Sequence, residues 1–194
     1  MNIPVNTVIL AIVLIVVAVA AIAWAAMKHQ RSVNLKQRFG PEYDRAVRDL
    51  GRSKAETELA KREQRVAGLN IVPITAAEAA RFANAWSALQ GRFVDDPKGA
   101  VAEADLLVRE LMAKRGYPMG DFELRAADIS VDHPGVVKNY RAAQAIAVRN
   151  GRGEADTEEL RAAVIHYRTL FDELLGVVPS KVASVPPVHA LPAR

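Results

Sequence analysis

The chain is 194 residues long, about half of them apolar, with a formal net charge of +4 and no cysteine. The missing cysteine removes disulfides, thiolate metal sites and cysteine nucleophiles together. The basic excess sits in residues 28–69 while residues 70–175 are slightly acidic, which argues against nucleic acid as a partner of the folded part.

Residues 8–27, VILAIVLIVVAVAAIAWAAM, form a run without a single charge. As a helix rising 1.5 Å per residue it is about 30 Å long, the thickness of a bilayer's hydrocarbon core. All its backbone groups are then bonded inside the helix, as lipid requires. A cleaved signal peptide has a charged start and an apolar stretch of roughly 7–15 residues. Here no Lys or Arg precedes Lys28, although Ala18-Val19-Ala20 and Ala21-Ile22-Ala23 keep that second reading open. The expectation is a retained single-pass transmembrane helix over 8–27 that contacts membrane lipid. Lys28, Arg31, Lys36 and Arg38 follow it, with His29 among them. Positive flanks stay on the cytoplasmic side, so residues 1–7 are expected outside the inner (cell) membrane and the rest in the cytoplasm. Trp24 fits the interfacial belt.

Phe39-Gly40-Pro41 reads as a break, with Pro41 opening a helix at a position where its missing N–H costs nothing. Tyr43, Val47 and Leu50 share one face of it, Gly51 interrupts, and Ser53 with Glu56 has the spacing of a capping box. Beyond, Ala55, Leu59, Val66 and Leu69 keep a 4-and-3 rhythm in which Arg62 takes the remaining seam position. Residues 28–69 are thus expected as a basic juxtamembrane segment and helical stalk resting on the domain or a partner; a coiled-coil dimer is the alternative, although about two heptads fall short of the usual signal.

Residues 70–175 are expected to fold as a helical bundle of about four helices. Thr75 and Glu78 form a capping box, and Phe82, Trp86, Leu89 and Phe93 make one buried stripe. Asp95-Asp96-Pro97 caps and opens the next helix, whose inner face is Val101, Ala104, Leu107, Val108, Leu111 and Met112, and Gly116 stops it. The connection at 117–132 holds a short helical piece near 122–128. A helix from His133-Pro134 to Gly151 buries Val136, Val137, Tyr140, Ala143, Ile146 and Ala147. The last helix, capped at Thr157, buries Leu160, Val164, Tyr167, Phe171 and Leu174 and ends at Gly176. No segment alternates as a strand does, so the fold class is all-α. The tail at 176–194, rich in proline and free of acids, is expected to be disordered.

Polar side chains cluster in one place, RGYPMGDFELRAADISVDHPG. Asp121, Glu123, Arg125, Asp128, Asp132 and His133 lie close together there. Read as a site, an Asp or His is a base and Arg125 grips an anion. Read structurally, Asp121 and Asp132 cap helices, Arg125 pairs with an acid, and the segment needs such side chains to satisfy its backbone. Asp128-Ile-Ser130-Val-Asp132 has the start of a calcium loop, but His133, Pro134 and Asn139 stand where that loop needs Gly, an oxygen ligand and a bidentate Glu. No HExxH, phosphate loop, GxSxG or dinucleotide fingerprint occurs, so neither a catalytic set nor a cofactor or metal is assigned.

The blocks RFGPEYDRAV at 38–47, RFANAW at 81–86, FVDDP at 93–97, RGYP at 115–118, RAADISVDHPGVVKNYRAA at 125–143 and TEELRAAVIHYRTLFDELL at 157–175 carry a resemblance. As a set they resemble an uncharacterised family of bacterial single-pass membrane-anchored helical proteins, labelled hypothetical or secreted. The resemblance implies a shared fold over nearly the whole chain beyond the span and transfers no activity, ligand or site residue.

The resulting expectation is a membrane-anchored protein-interaction or scaffolding module, with Tyr117, Phe122, Arg125, Asp128, Asp132 and His133 as interaction surface. Its partner is a protein or a second copy of itself. An enzyme or small-ligand binder using the 117–133 connection, and a homo-oligomeric structural membrane protein, are the alternatives.

Overall fold

A computed structural model describes residues 5–176, with side chains over 14–176; the first four residues and the proline-containing tail expected to be disordered lie outside the described residues. Every element among them is helical: α1 (Val5–Phe39), α2 (Pro41–Leu50), α3 (Arg52–Ala67), α4 (Ala76–Arg92), α5 (Pro97–Arg115), α6 (Phe122–Asp132), α7 (Pro134–Gly151) and α8 (Thr157–Leu175). They form two compact units, one of Met1–Val72 with Gly116–Arg141 and one of Pro73–Arg115 with Ala142–Arg194.

The first unit begins with α1, 35 residues without interruption and roughly 50 Å long at helical rise. Over Leu14–Phe39 it is long and apolar enough to cross a membrane, and none of its most apolar window is buried. Past Met27 the same helix continues into protein: Leu35 and Phe39 are buried with Tyr43, Ala46, Ala55, Leu59, Val66 and Val131 in one apolar cluster. Gly40 makes the reversal at φ +49°, a conformation that glycine adopts without Cβ strain, and Pro41 opens α2. Gly51, at φ +77°, ends α2 and starts α3. Helices α2, α3 and α6 pack on α1, and α3 packs on both α2 and α6.

Of the two supports expected for residues 28–69, the chain itself supplies one: they share an apolar core with α6, since Ala55, Leu59 and Val66, the seam of the 4-and-3 rhythm, are covered by α1, α2 and α6. A coiled-coil partner has no free seam to occupy. The Ser53–Glu56 capping box is also absent: α3 starts at Arg52 behind Gly51 with no side-chain cap, and Glu56 turns inward to accept hydrogen bonds from Ser32 and Tyr43.

The second unit is built from α4, α5, the C-terminal part of α7 and α8. Thr75 accepts from the Glu78 N–H and Glu78 accepts from the Thr75 N–H, the capping box read from the sequence. Asp96 accepts from the Gly99 N–H in the first turn of α5. Helix α5 packs on both α4 and α8. The core is aromatic: the Phe171 ring lies 4.6 Å from the Trp86 ring and edge-on to Phe82 at 6.3 Å. Phe82, Trp86, Leu89 and the six expected residues of α5 are buried, while Phe93 is half-buried beneath the Arg161 guanidinium. The cap of α8 is Asp156 rather than Thr157, because Asp156 and Glu159 complete the reciprocal pair. The five helices α4 to α8 that fall in residues 70–175 are thus divided between the two units instead of making one four-helix bundle, with α6 and the start of α7 in the first unit.

Candidate functional site

The polar connection at 117–133 is more helical than expected, because α6 extends through Asp132. Asp121 caps it, accepting from the Leu124 N–H at 2.8 Å. Burial then sorts the six residues expected to form a surface. Tyr117, Arg125 and Asp128 are interior, Phe122 and His133 are half-buried, and Asp132 is exposed. The six do not form one exposed face, because α6 turns its Arg125–Val131 stretch into the unit and keeps only its ends in solvent.

Each buried polar group has a defined partner. Asp128, fully buried, receives Arg65 of α3 through Nε at 2.7 Å and Nη2 at 2.6 Å, both on Oδ1, and its Oδ2 has no hydrogen-bond partner. Arg125 pairs with no acid, contrary to the structural reading of the sequence. Its Nε donates to the Tyr140 hydroxyl at 3.2 Å and its Nη1 to the Gly120 carbonyl, so it ties the loop before α6 to α7. The Tyr117 hydroxyl donates to Asp132 at 3.0 Å, and Phe122 stacks on Tyr140 with ring centroids 4.9 Å apart. Asp128 and Asp132 are thus aimed at different partners and do not converge as an acid–base pair would.

A second cluster was not singled out by its sequence. Glu42 is buried at the start of α2, and its Oε1 faces Arg45 at 3.2 Å, Arg62 at 3.5 Å and Arg141 at 3.0 Å. Three guanidiniums on one carboxylate would make an anion site if their charge were left over. It is not: Arg45 also reaches Asp49, Arg62 reaches Glu58 and Arg141 reaches Glu123 at 2.6 Å. Arg141 further covers the Phe122 ring at 5.9 Å. The cleft above, of about 320 Å³, is lined by Pro41, Glu42, Arg45, Arg48, Lys138 and Arg141. Its inner arginines are neutralised, so the cluster clamps α2, α3, α6 and α7 together. The one sequence signal for it was Arg62 in the apolar seam of α3.

Asp132 lines an open groove of about 500 Å³ with Arg38, Glu63, Val66, Leu69 and Val131. In the second unit a groove of about 340 Å³ runs past Val101, Ala102, Leu106, Gln144, Ala147 and Val148. Leu106 and Val148 stay about half exposed there, at 50% and 45%. Among the described residues no three His, Asp or Glu side chains come together in a way that could hold a metal ion. Shifted carboxylates lie at helix starts instead. Glu78 titrates below its ordinary range because Thr75 hydrogen-bonds it, and Glu159 does so because Arg149 at 2.6 Å and the Asp156 N–H hold its charged form. These are the physical marks of caps.

No family model matches the chain, and neither a curated protein nor a solved structure does.

Proposed function

We propose that the protein is a single-pass inner-membrane protein whose cytoplasmic helical domain binds a protein partner, as an interaction or scaffolding module. The observation that carries this reading is the continuity of α1. Its apolar half is exposed all round, with Leu14, Ile15, Val16, Val17, Val19 and Ile22 each at 59–70%. Its other half is core, with Phe39 fully buried. An exposed apolar cylinder is stable in lipid and costly in water. A helix that leaves lipid and enters a folded unit without a linker holds that unit at a fixed attitude to the membrane. Such a device suits presentation of a surface, and the buried polar groups Glu42, Glu56, Arg125 and Asp128 are engaged in holding helices together.

Orientation follows from Lys28, Arg31, Lys36 and Arg38 after the span, with the N-terminus outside. Membership of the bacterial anchored family that the sequence blocks resemble belongs to the same proposal and adds no activity. With Tyr117, Arg125 and Asp128 interior, the partner's contact moves to exposed apolar side chains, of which Leu106 and Val148 share one groove.

The test is in-cell cross-linking of the full-length protein at native level, with a photoreactive residue at position 106 or 148, followed by mass spectrometry. A reproducible protein partner, lost on Leu106→Glu, supports the reading. Self-links alone, or no links, overturn it. Protease added outside sealed cells should leave the domain intact; its digestion would overturn the orientation.

A further inference from the structure

The contacts within the first unit fix the level at which the α2–α3 turn lies along α1. Ser32 donates to Glu56, and Arg38 meets Glu63 at 3.3 Å, so α3 runs beside α1 in the same direction. Helix α2 runs the opposite way, with Lys36 and Asp44 4.0 Å apart. Followed back, both bring the turn to the end of the apolar run. A cleft of about 330 Å³ confirms the level, since Trp24, Met27, Lys28 and Arg31 line it together with Ser53, Glu56 and Thr57. The chain therefore leaves the apolar segment, reverses at Gly40 and returns to the height of Trp24 and Lys28.

The returning tip has a composition that fits that height. Leu50, at its apex, is a large apolar side chain left 45% exposed. Around it Arg48, Arg52 and Lys54 are exposed, as are Lys28 and Arg31 on the neighbouring stretch of α1. The acids nearby are paired: Glu56 is buried against Ser32 and Tyr43 and offsets Arg52, and Asp49 lies 3.7 Å from Arg45, which leaves Arg48, Lys54, Lys28 and Arg31 as the basic side chains of the tip. Basic side chains ringing one exposed leucine at the end of a span match a layer of anionic headgroups over acyl chains.

We propose that the α2–α3 turn is a second membrane contact, in which Leu50 enters the headgroup layer and Arg48 and Lys54 join Lys28 and Arg31 in binding anionic lipid. The first unit is then held at two points, by the span and by the tip. That fixes its rotation about α1 as well as its distance from the bilayer. The inference rests on the anchor reading above, and the experiment separates the two.

The chain has no cysteine, so one introduced cysteine reports one position. Val17→Cys, Leu50→Cys and Ala67→Cys are each labelled with an environment-sensitive fluorophore in the full-length protein. Each is reconstituted into phosphatidylcholine vesicles with and without phosphatidylglycerol, and quenched by nitroxide lipids of known depth. Position 67 is the aqueous reference, on the order of 20 Å further along α3. The expected result is acyl-depth quenching at 17, headgroup-depth quenching at 50 several-fold above that at 67, and a gain at 50 on adding phosphatidylglycerol. Arg48→Gln with Lys54→Gln, which leaves the Arg52–Glu56 pair in place, should remove that gain and leave position 17 unchanged. Quenching at 50 no greater than at 67, with 17 at acyl depth, overturns the second contact while the anchor stands. Failure of quenching at 17 overturns both. Equal quenching at 50 in both vesicle types overturns the anionic-lipid assignment.

Discussion

The Arg65–Asp128 pair predicts an asymmetry between its two halves. Asp128 is fully buried, whereas the Arg65 side chain is 35% exposed. Removing one member of a buried pair costs about 3–5 kcal/mol when the remaining charge is stranded away from water. Arg65→Ala strands a carboxylate whose Oδ2 already lacks a hydrogen-bond partner. It should cost about 3 kcal/mol, and opening of α3 and α6 should become about a hundredfold more frequent. Asp128→Ala leaves a guanidinium that can swing into solvent, so the loss is confined to a hydrogen bond and a small cavity, about 1–2 kcal/mol. The assay is hydrogen exchange of the full-length protein in non-ionic detergent, read by mass spectrometry on peptides from the two helices. Local opening free energies come from it without requiring the two units to unfold together. If Asp128→Ala opened these helices as much as Arg65→Ala or more, the stranded carboxylate would not be the source of the cost.

Other perturbations follow the same physics. Glu42→Ala removes the shared acceptor of Arg45, Arg62 and Arg141, of which the last two are 12% and 15% exposed. Because each keeps a second acid, the expected loss is near the lower end for buried pairs, about 3 kcal/mol, seen as faster exchange in α2 and α3 with α4 and α8 unchanged. Phe171→Ala takes the ring that contacts both Trp86 and Phe82 from the second unit. It should cost about 3–5 kcal/mol, read as a lower thermal midpoint and earlier proteolysis of α4 and α8. Glu78 and Glu159 have folded-state affinities for the proton below the ordinary range, Glu78 through Thr75 and Glu159 chiefly through Arg149. Their stabilisation is fully present above the unfolded-chain value of about 4.3 and is lost as pH falls through the lower folded value. The acid limb of a thermal-midpoint curve should therefore flatten in a Glu78→Gln, Glu159→Gln double variant; an unchanged limb would show that other carboxylates govern it.

What the sequence determined by itself was local and punctuated. The apolar run of α1, the reversal at Gly40-Pro41, the Thr75–Glu78 box, the Asp96-Pro97 start and the stops at Gly116 and Gly176 all depend on residues within a turn of one another. So do the buried stripes of α4, α5 and α8, which the 3.6-residue period exposes directly. Local chemistry of this kind misplaced only details. Ser53 and Glu56 have capping-box spacing, yet Glu56 finds Tyr43 and Ser32 instead.

Only the tertiary structure decided which faces meet. An apolar seam on residues 55–69 specifies burial but not its cover, and the cover proved to be α1, α2 and α6 rather than a second chain. The polar connection at 117–133 looked like a surface because its charges cluster in sequence. Three of those side chains went inside, where Asp128 meets Arg65 and Arg125 meets Tyr140. Partners 63 positions apart, as Arg65 and Asp128 are, or 99 apart, as Glu42 and Arg141 are, leave no periodic mark on the chain. A buried charge is tolerated only where its counter-charge arrives, and that arrival is fixed by helix packing, which single-sequence patterns do not encode.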